Sequence, residues 1–217
     1  MCRFVRGLVC AVFAIGVTLP AFAAEPKQTF RANLGYLSPT GDLKERIAFD
    51  TGDGFIDVDV KAKFDSALGV ALGYEYRFTD LIGLDVGLQY YKPKVKFEGR
   101  GGSVEIRDDD RGKFMPLTVG PMFHVAKTDK IDFFLGPELA YVMYGGVDLR
   151  RAGKVDFKND LVVGAKLGAN VLFSGDWALN LNLEYLAAKA KTDQPDADNV
   201  KLNAKPFILT VGAAYRF

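Results

Sequence analysis

His124 is the single imidazole of the chain and the first residue to test for acid–base or metal chemistry. In the expected register it sits near Asp132 at one end of the lumen, with no serine close by. A hydrolase or acyltransferase reading therefore lacks its nucleophile. No catalytic residue is assigned, and a structural histidine is the better account. Around it the same alternation gathers Arg31, Arg77, Asp85, Asp132 and Arg216. Such a mixture of opposite charges neutralises itself, as a structural plug does. Lys166 and Glu184 form a second pair of opposite sign higher up. The acidic stretches Asp50 to Asp59 and Asp108-Asp109-Asp110 attract divalent cations in principle, but Asp50-Thr51-Gly52-Asp53-Gly54 lacks the alternate-residue spacing of a calcium loop. No metal site and no cofactor are expected.

Thiol chemistry is excluded from the exported protein, because Cys2 and Cys10 both lie in the leader. Met1-Cys2-Arg3-Phe4-Val5-Arg6, the apolar run Gly7 to Leu19 and Pro20-Ala21-Phe22-Ala23 have the three regions of a secretory signal. Cleavage after Ala23 makes residues 1–23 the signal peptide and 24–217 one domain. Losing Arg3 and Arg6 brings the 28 basic side chains to 28 − 2 = 26, against 27 acidic ones. A chain so nearly neutral has no electrostatic case for binding nucleic acid.

The positions of these charges follow from period-two alternation. Leu68, Val70, Leu72, Tyr74, Tyr76 and Phe78, with Phe64 before them, alternate with Asp65, Ala67, Gly69, Ala71, Gly73, Glu75 and Arg77. The split recurs in eight segments, near 28–38, 64–78, 82–97, 112–126, 131–145, 160–173, 177–191 and 204–217. Brief turns at Thr79-Asp80-Leu81, Lys127 to Lys130 and Ser174-Gly175-Asp176 alternate with long polar loops at 39–63, 98–111, 146–159 and 192–203. This predicts an all-β, eight-stranded antiparallel up-and-down barrel with short periplasmic turns and long extracellular loops. A soluble calyx would turn the apolar face inward and the polar face to water. Glycines at 35, 69, 73, 87, 120, 136, 164, 168 and 212 crowd the polar face, where they weaken a water-facing strand but make room in a narrow lumen. Aromatics such as Tyr36, Phe64, Phe123, Phe173, Trp177 and Phe207 end the apolar face near the rims. Lipid is expected outside, in the outer membrane.

The ending Val211-Gly212-Ala213-Ala214-Tyr215-Arg216-Phe217 resembles the terminal strand that assembly machinery recognises in outer-membrane proteins, with Tyr215 and Phe217 as the signal. More narrowly, the chain resembles the OmpW family of small eight-stranded barrels. The resemblance rests on Met115-Pro116-Leu117-Thr118, Phe134 to Tyr141, Leu167-Gly168-Ala169-Asn170 and Ser174 to Asn180. Gly136-Pro137-Glu138 departs from the family's Pro-x-x-Gly-x-Gly pattern. The likeness implies passage or binding of small hydrophobic molecules.

Turn geometry sets the lumen register. Pairing Phe173 with Trp177 puts Lys166 opposite Glu184 and Asn170 opposite Asn180; pairing Phe78 with Leu84 puts Arg77 opposite Asp85. Near the long-loop rim Leu37, Phe114, Pro116, Val142, Tyr144, Val162, Leu186 and Ile208 turn inward, as an apolar mouth for a ligand or as residues packed on one another. Pro121 and Pro137, opposite or one pair apart, withdraw N–H groups from neighbouring strands, which makes either a lateral gate or a mere bulge. Two functions follow: admission of small hydrophobic molecules, or a structural or host-interaction barrel with a filled lumen. The expected partners are outer-membrane lipid, the assembly machinery and small apolar solutes.

Overall fold

The computed structural model describes residues 28–50, 55–101, 104–149, 153–155, 157–192, 201–203 and 205–217. The signal peptide and its cleavage site lie outside the described residues. Eight strands close a barrel: β1 (Gln28–Pro39), β2 (Ala67–Arg77), β3 (Ile82–Tyr91), β4 (Phe114–Lys127), β5 (Ile131–Tyr144), β6 (Asp160–Ser174), β7 (Trp177–Leu186) and β8 (Pro206–Arg216). Each pairs antiparallel with its sequence neighbours, and β1 pairs with β8 from Thr29↔Arg216 to Pro39↔Pro206. Two backbone bonds of 2.9 and 3.0 Å between Gln28 and Phe217 finish the seam between the chain's ends.

Closure satisfies backbone groups that hydrocarbon cannot solvate. The side chains sort accordingly. Leu34 is 69 % exposed and Val163 66 %, whereas Arg31 is 2 % and Asp132 0 % exposed. This inversion of a soluble protein's faces fits lipid outside and not the calyx.

Three short turns mark one rim. Thr79 and Thr128 each accept two backbone N–H bonds through the hydroxyl, tying off the first two turns. Gly175, at φ 53°, makes the third. At the Thr79 turn the Phe78 N–H donates to the Ile82 carbonyl. That pairing shifts the β2–β3 register by two residues from expectation, so Glu75, not Arg77, lies opposite Asp85, and Arg77 lies opposite Gly83. Ser174, not Phe173, pairs with Trp177, the irregularity falling between Leu172 and Ser174; beyond it Lys166↔Glu184 and Asn170↔Asn180 hold.

At the other rim the described residues of the segments read as loops lie largely in strands. Asp42–Asp50, Phe55–Phe64, Lys94–Gly101 and Val104–Arg111 form a four-stranded sheet that continues the wall outward. Val147–Leu149 pairs with Gly153–Val155, and Phe157–Lys158, Lys189–Thr192 and Lys201–Asn203 form a third sheet. Their polar composition concealed them as strands. The span 64–78 is also two strands, broken at Asp65-Ser66, and the break reverses the facing of Phe64: it is buried at 6 % exposure, not part of the lipid-facing belt.

Leu181 faces outward in the middle of β7. Leu181→Arg is expected to destabilise the barrel by about 2–4 kcal/mol, the cost of a cation facing mid-bilayer. The urea midpoint in lipid vesicles reads this loss.

Candidate functional site

The lumen is layered. At the short-turn end, alternation on β1, β2, β4, β5 and β8 directs Arg31, Glu75, Arg77, His124, Asp132 and Arg216 inward. His124 lies between two carboxylates, Nε2 at 2.6 Å from Glu75 Oε1 and Nδ1 at 2.8 Å from Asp132 Oδ1. Arg77 bonds Glu75 through Nε at 3.1 Å and also binds Asp132, which accepts from Arg216 Nη2 at 3.0 Å. Arg31 pairs with Asp85, lies 3.7 Å from Glu75 and sits over the Phe134 ring at 5.5 Å. His124 is thus held by carboxylates on both nitrogens, the arrangement of a structural imidazole.

Halfway up, Lys166 Nζ serves three carboxylates, Asp85 at 2.8 Å, Glu184 at 3.1 Å and Glu138 at 3.4 Å. Asp85 therefore joins this layer to the floor through Arg31, and the two expected clusters are one network. Gln89 donates to Glu184 and accepts from the Tyr91 hydroxyl at 2.9 Å. Beside them Asn33, Asn170, Asn180, Asn182 and Thr210 form a neutral hydrogen-bonded group, with Asn180 Nδ2 bonding Asn170 at 2.7 Å and Asn182 Nδ2 bonding Thr210 at 2.9 Å. Burial without pairing would be prohibitive for these charges. Within the described lumen four cations, Arg31, Arg77, Lys166 and Arg216, face the carboxyl groups of Glu75, Asp85, Asp132, Glu138 and Glu184, with His124 between two of the latter.

Glu75, Glu138 and Gln89 escaped the sequence reading. Parity carried the signal for all three: Glu75 shares a face with Arg77, Glu138 with Asp132, and Gln89 with Asp85.

Above the charges lies an apolar layer. Leu37, Phe114, Val142, Val162, Leu186 and Ile208 form one buried cluster with Ala67, Tyr91, Ala140 and Ala188, and Tyr144 packs against it. Pro116 is also buried. Of the residues named for the mouth, all but Pro116 are thus together in one packed apolar cluster.

The hydrogen-bond ladder of the wall is interrupted beside it. The β4–β5 ladder pairs Val119↔Leu139 and resumes at Phe123↔Leu135, skipping the three pairs centred on Pro121 and Pro137, which therefore face one another. An antiparallel pair in hydrogen-bonding register exchanges two N–H···O bonds, and two prolines make neither. The prolines face outward and the flanking Gly120 and Gly136 inward. A Cβ on Gly120 would strike the Pro137 carbonyl oxygen, and one on Gly136 that of Pro121. The seam is therefore two bare backbones in contact. Pro116 interrupts the other edge of β4, where the β3–β4 ladder skips the pairs between Leu88↔Leu117 and Tyr91↔Phe114.

At the periplasmic end Trp177 packs on Tyr215, ring centroids 5.0 Å apart, and Tyr215 stacks on Phe217 at 6.0 Å. These rings lie on the exposed outer face.

Fold, inverted faces and enclosed charges together define a small transmembrane β-barrel. Over residues 9–217 the chain matches the family described as outer membrane protein beta-barrel domain, and it belongs to that family. This places it in the outer membrane. No curated protein matches the chain in sequence. Among solved structures it is similar to outer membrane protein AlkL in lipid bilayers, with a TM-score of 0.58 and 19 % identity over 92 % of this chain and 95 % of that one. Neisserial surface protein A gives 0.55 and 14 %, covering 91 % and 100 %. The E. coli outer membrane protein W structure gives 0.46 and 16 %, covering 90 % and 100 %. The structural likeness to AlkL and the Neisserial protein is one of fold, and the motif resemblance to OmpW lies within this class of barrel.

Lys166 is the one cation bonded to Asp85, Glu138 and Glu184 together. Lys166→Met is expected to lower stability by about 3–5 kcal/mol, since it strands buried carboxylates. Adding Glu184→Gln should restore part of the loss, read as the urea midpoint of the folded barrel.

Proposed function

We propose that this barrel binds or admits small hydrophobic molecules from the extracellular side and releases them sideways into the membrane. The observation that carries the reading is the double-proline seam between β4 and β5, level with the boundary between the apolar layer and the charged layer. A solute that displaces the packed side chains from above meets Thr118, Ala140 and then the ion pairs of Lys166. Continuing down would require breaking a buried network. Parting two strands at the seam requires no hydrogen bond to break there, because the prolines never made one. The motif resemblance to OmpW agrees with this reading.

A second reading has one observation in its favour. The lumen residues at both levels are almost wholly buried, as in a barrel that is structural and acts through its extracellular sheets. Solute uptake separates the two.

Pro121→Ala with Pro137→Ala restores both N–H groups and closes the ladder. Vesicles carrying this variant should take up an apolar fluorescent solute several-fold more slowly than wild type at equal folded-barrel content. Unchanged uptake contradicts the lateral exit; no uptake even by wild type, with adhesion that depends on the extracellular strands, favours the second reading. We further propose that Tyr215 and Phe217 mark the chain for the barrel assembly machinery. Phe217→Ala should then lower folded protein in the outer membrane while leaving spontaneous refolding into detergent intact.

A further inference from the structure

Where the apolar layer meets the charged one, two buried side chains lack the hydrogen bonds their chemistry calls for. Among the described residues Glu138 is the one buried carboxyl group neither of whose oxygens has a hydrogen-bond partner. Its side chain is 1 % exposed. Lys166 Nζ holds it by charge at 3.4 Å but stands nearer to Asp85 and Glu184, at 2.8 and 3.1 Å. The hydroxyl of Thr118, also fully buried, has no partner either. Leaving such atoms bare costs free energy, and a group that brings the missing bonds would be held there.

The register explains the shortage. On β5 Glu138 is the inward residue next below Ala140, a member of the apolar cluster. Its cross-strand neighbours are glycines on both sides: Gly164 on β6, and Gly120 on β4 by continuation of the alignment that pairs Val119 with Leu139. Neither has a side chain with which to donate. Thr118 lies opposite Ala140 on one side and Gly87 on the other. A Cβ added at Gly87 would stand 2.6 Å from Thr118 Oγ1 and 3.8 Å from Lys166 Nζ, so the hydroxyl and the ammonium that pairs with Glu138 meet over one glycine. Thr118 and Glu138 are diagonal neighbours on adjacent strands, near enough for one small head group to reach both.

The seam beside Glu138 repeats the deficit. In the facing pair Pro121 and Pro137 neither nitrogen carries a hydrogen, so each carbonyl lacks the N–H that the opposite residue would otherwise donate. A path sideways from this level starts at a carboxyl and passes two carbonyls, all short of donors.

We propose that the molecules this barrel takes are apolar chains ending in a primary alcohol, whose hydroxyl donates to Glu138 and accepts from Thr118 while the chain takes the place of the apolar layer. The proposal rests on the lateral-exit reading and specifies its solute. An alkane, ether or ester brings no donor for the carboxyl. An alkylammonium brings donors together with a charge, which the hydrocarbon beyond the seam penalises heavily. A hydroxyl donates without charge and can exchange Glu138 for the proline carbonyls as it leaves.

The test uses the full barrel in lipid vesicles with two photoreactive probes, a decanol carrying a mid-chain diazirine and the methyl ether of the same molecule, and locates labelled residues by peptide mass spectrometry. Both probes reach the lipid-facing wall, so labelling there is the internal reference. At the inward-facing Val142 and Ile208 the alcohol should exceed the ether by about fivefold after that correction, the worth of one buried neutral hydrogen bond, and unlabelled decanol should compete. Thr118→Val and, independently, Glu138→Leu should bring the ratio down toward unity, whereas Glu138→Gln, which keeps an acceptor oxygen, should retain most of it. Folding of each variant is checked by its heat-dependent gel shift. Equal lumen labelling by the two probes in wild type, or an undiminished preference in whichever of the two variants folds, overturns the alcohol and leaves the lateral exit standing. Lumen labelling by neither probe removes entry itself, and the proposal with it.

Discussion

Backbone hydrogen bonding in a solvent that offers none is the constraint from which this molecule follows. Hydrocarbon leaves every N–H and C=O on a spanning strand to be satisfied by another strand. The bonds joining Gln28 to Phe217 and the long ladder between β1 and β8 close the ring. Once the sheet is closed, alternate side chains must face either lipid or a narrow lumen, and the rest is consequence. Leu34 and Val163 go out; Arg31, Glu75 and Asp132 go in, where the lack of water forces them to neutralise one another. Lys166 then links the middle of the barrel to its floor through Asp85 and Arg31. The polar interior is thus the other face of an apolar exterior.

Against that background the departures from regular pairing stand out. Pro121 and Pro137 occupy facing positions, so the wall loses both bonds of one pair at a height where the lumen changes from apolar to charged. Gly120 and Gly136 permit the backbones to approach where no other residue fits. Pro116 loosens the opposite edge of β4. One strand therefore carries both interruptions.

Much of this was legible in the sequence because alternation is a local signal and a barrel is built from it. Facing was readable for Lys166, Glu184, Asn170 and Asn180, since their hairpin kept its register despite the irregularity beside Phe173. Arg77 and Asp85 were misaligned because the Thr79 hydroxyl shapes a turn that pairs Phe78 with Ile82, a choice made by one side chain's hydrogen bonds. Glu75 was visible by parity but its role as the carboxylate shared by Arg77 and His124 depends on two strands, β2 and β4, meeting across the lumen. The outer sheets were unreadable as strands because their polar residues resemble loop composition. Phe64 was misplaced by the break at Asp65-Ser66, across which the alternation changes phase: Phe64 is buried before it, whereas after it the odd-numbered Ala67, Ala71 and Glu75 are. Whether the mouth is open or packed is a matter of volume, which residue types alone do not encode.

The orientation of the two faces is tested most directly by nitroxide labels placed singly at Leu167, Leu209 and Val211 on barrels in lipid bilayers. All three positions point outward on β6 and β8. Collisions with oxygen, which concentrates in hydrocarbon, should dominate over collisions with a water-soluble nickel complex, most strongly for the label deepest in the bilayer. Labels more accessible to the nickel complex than to oxygen would place these residues in water and contradict the account.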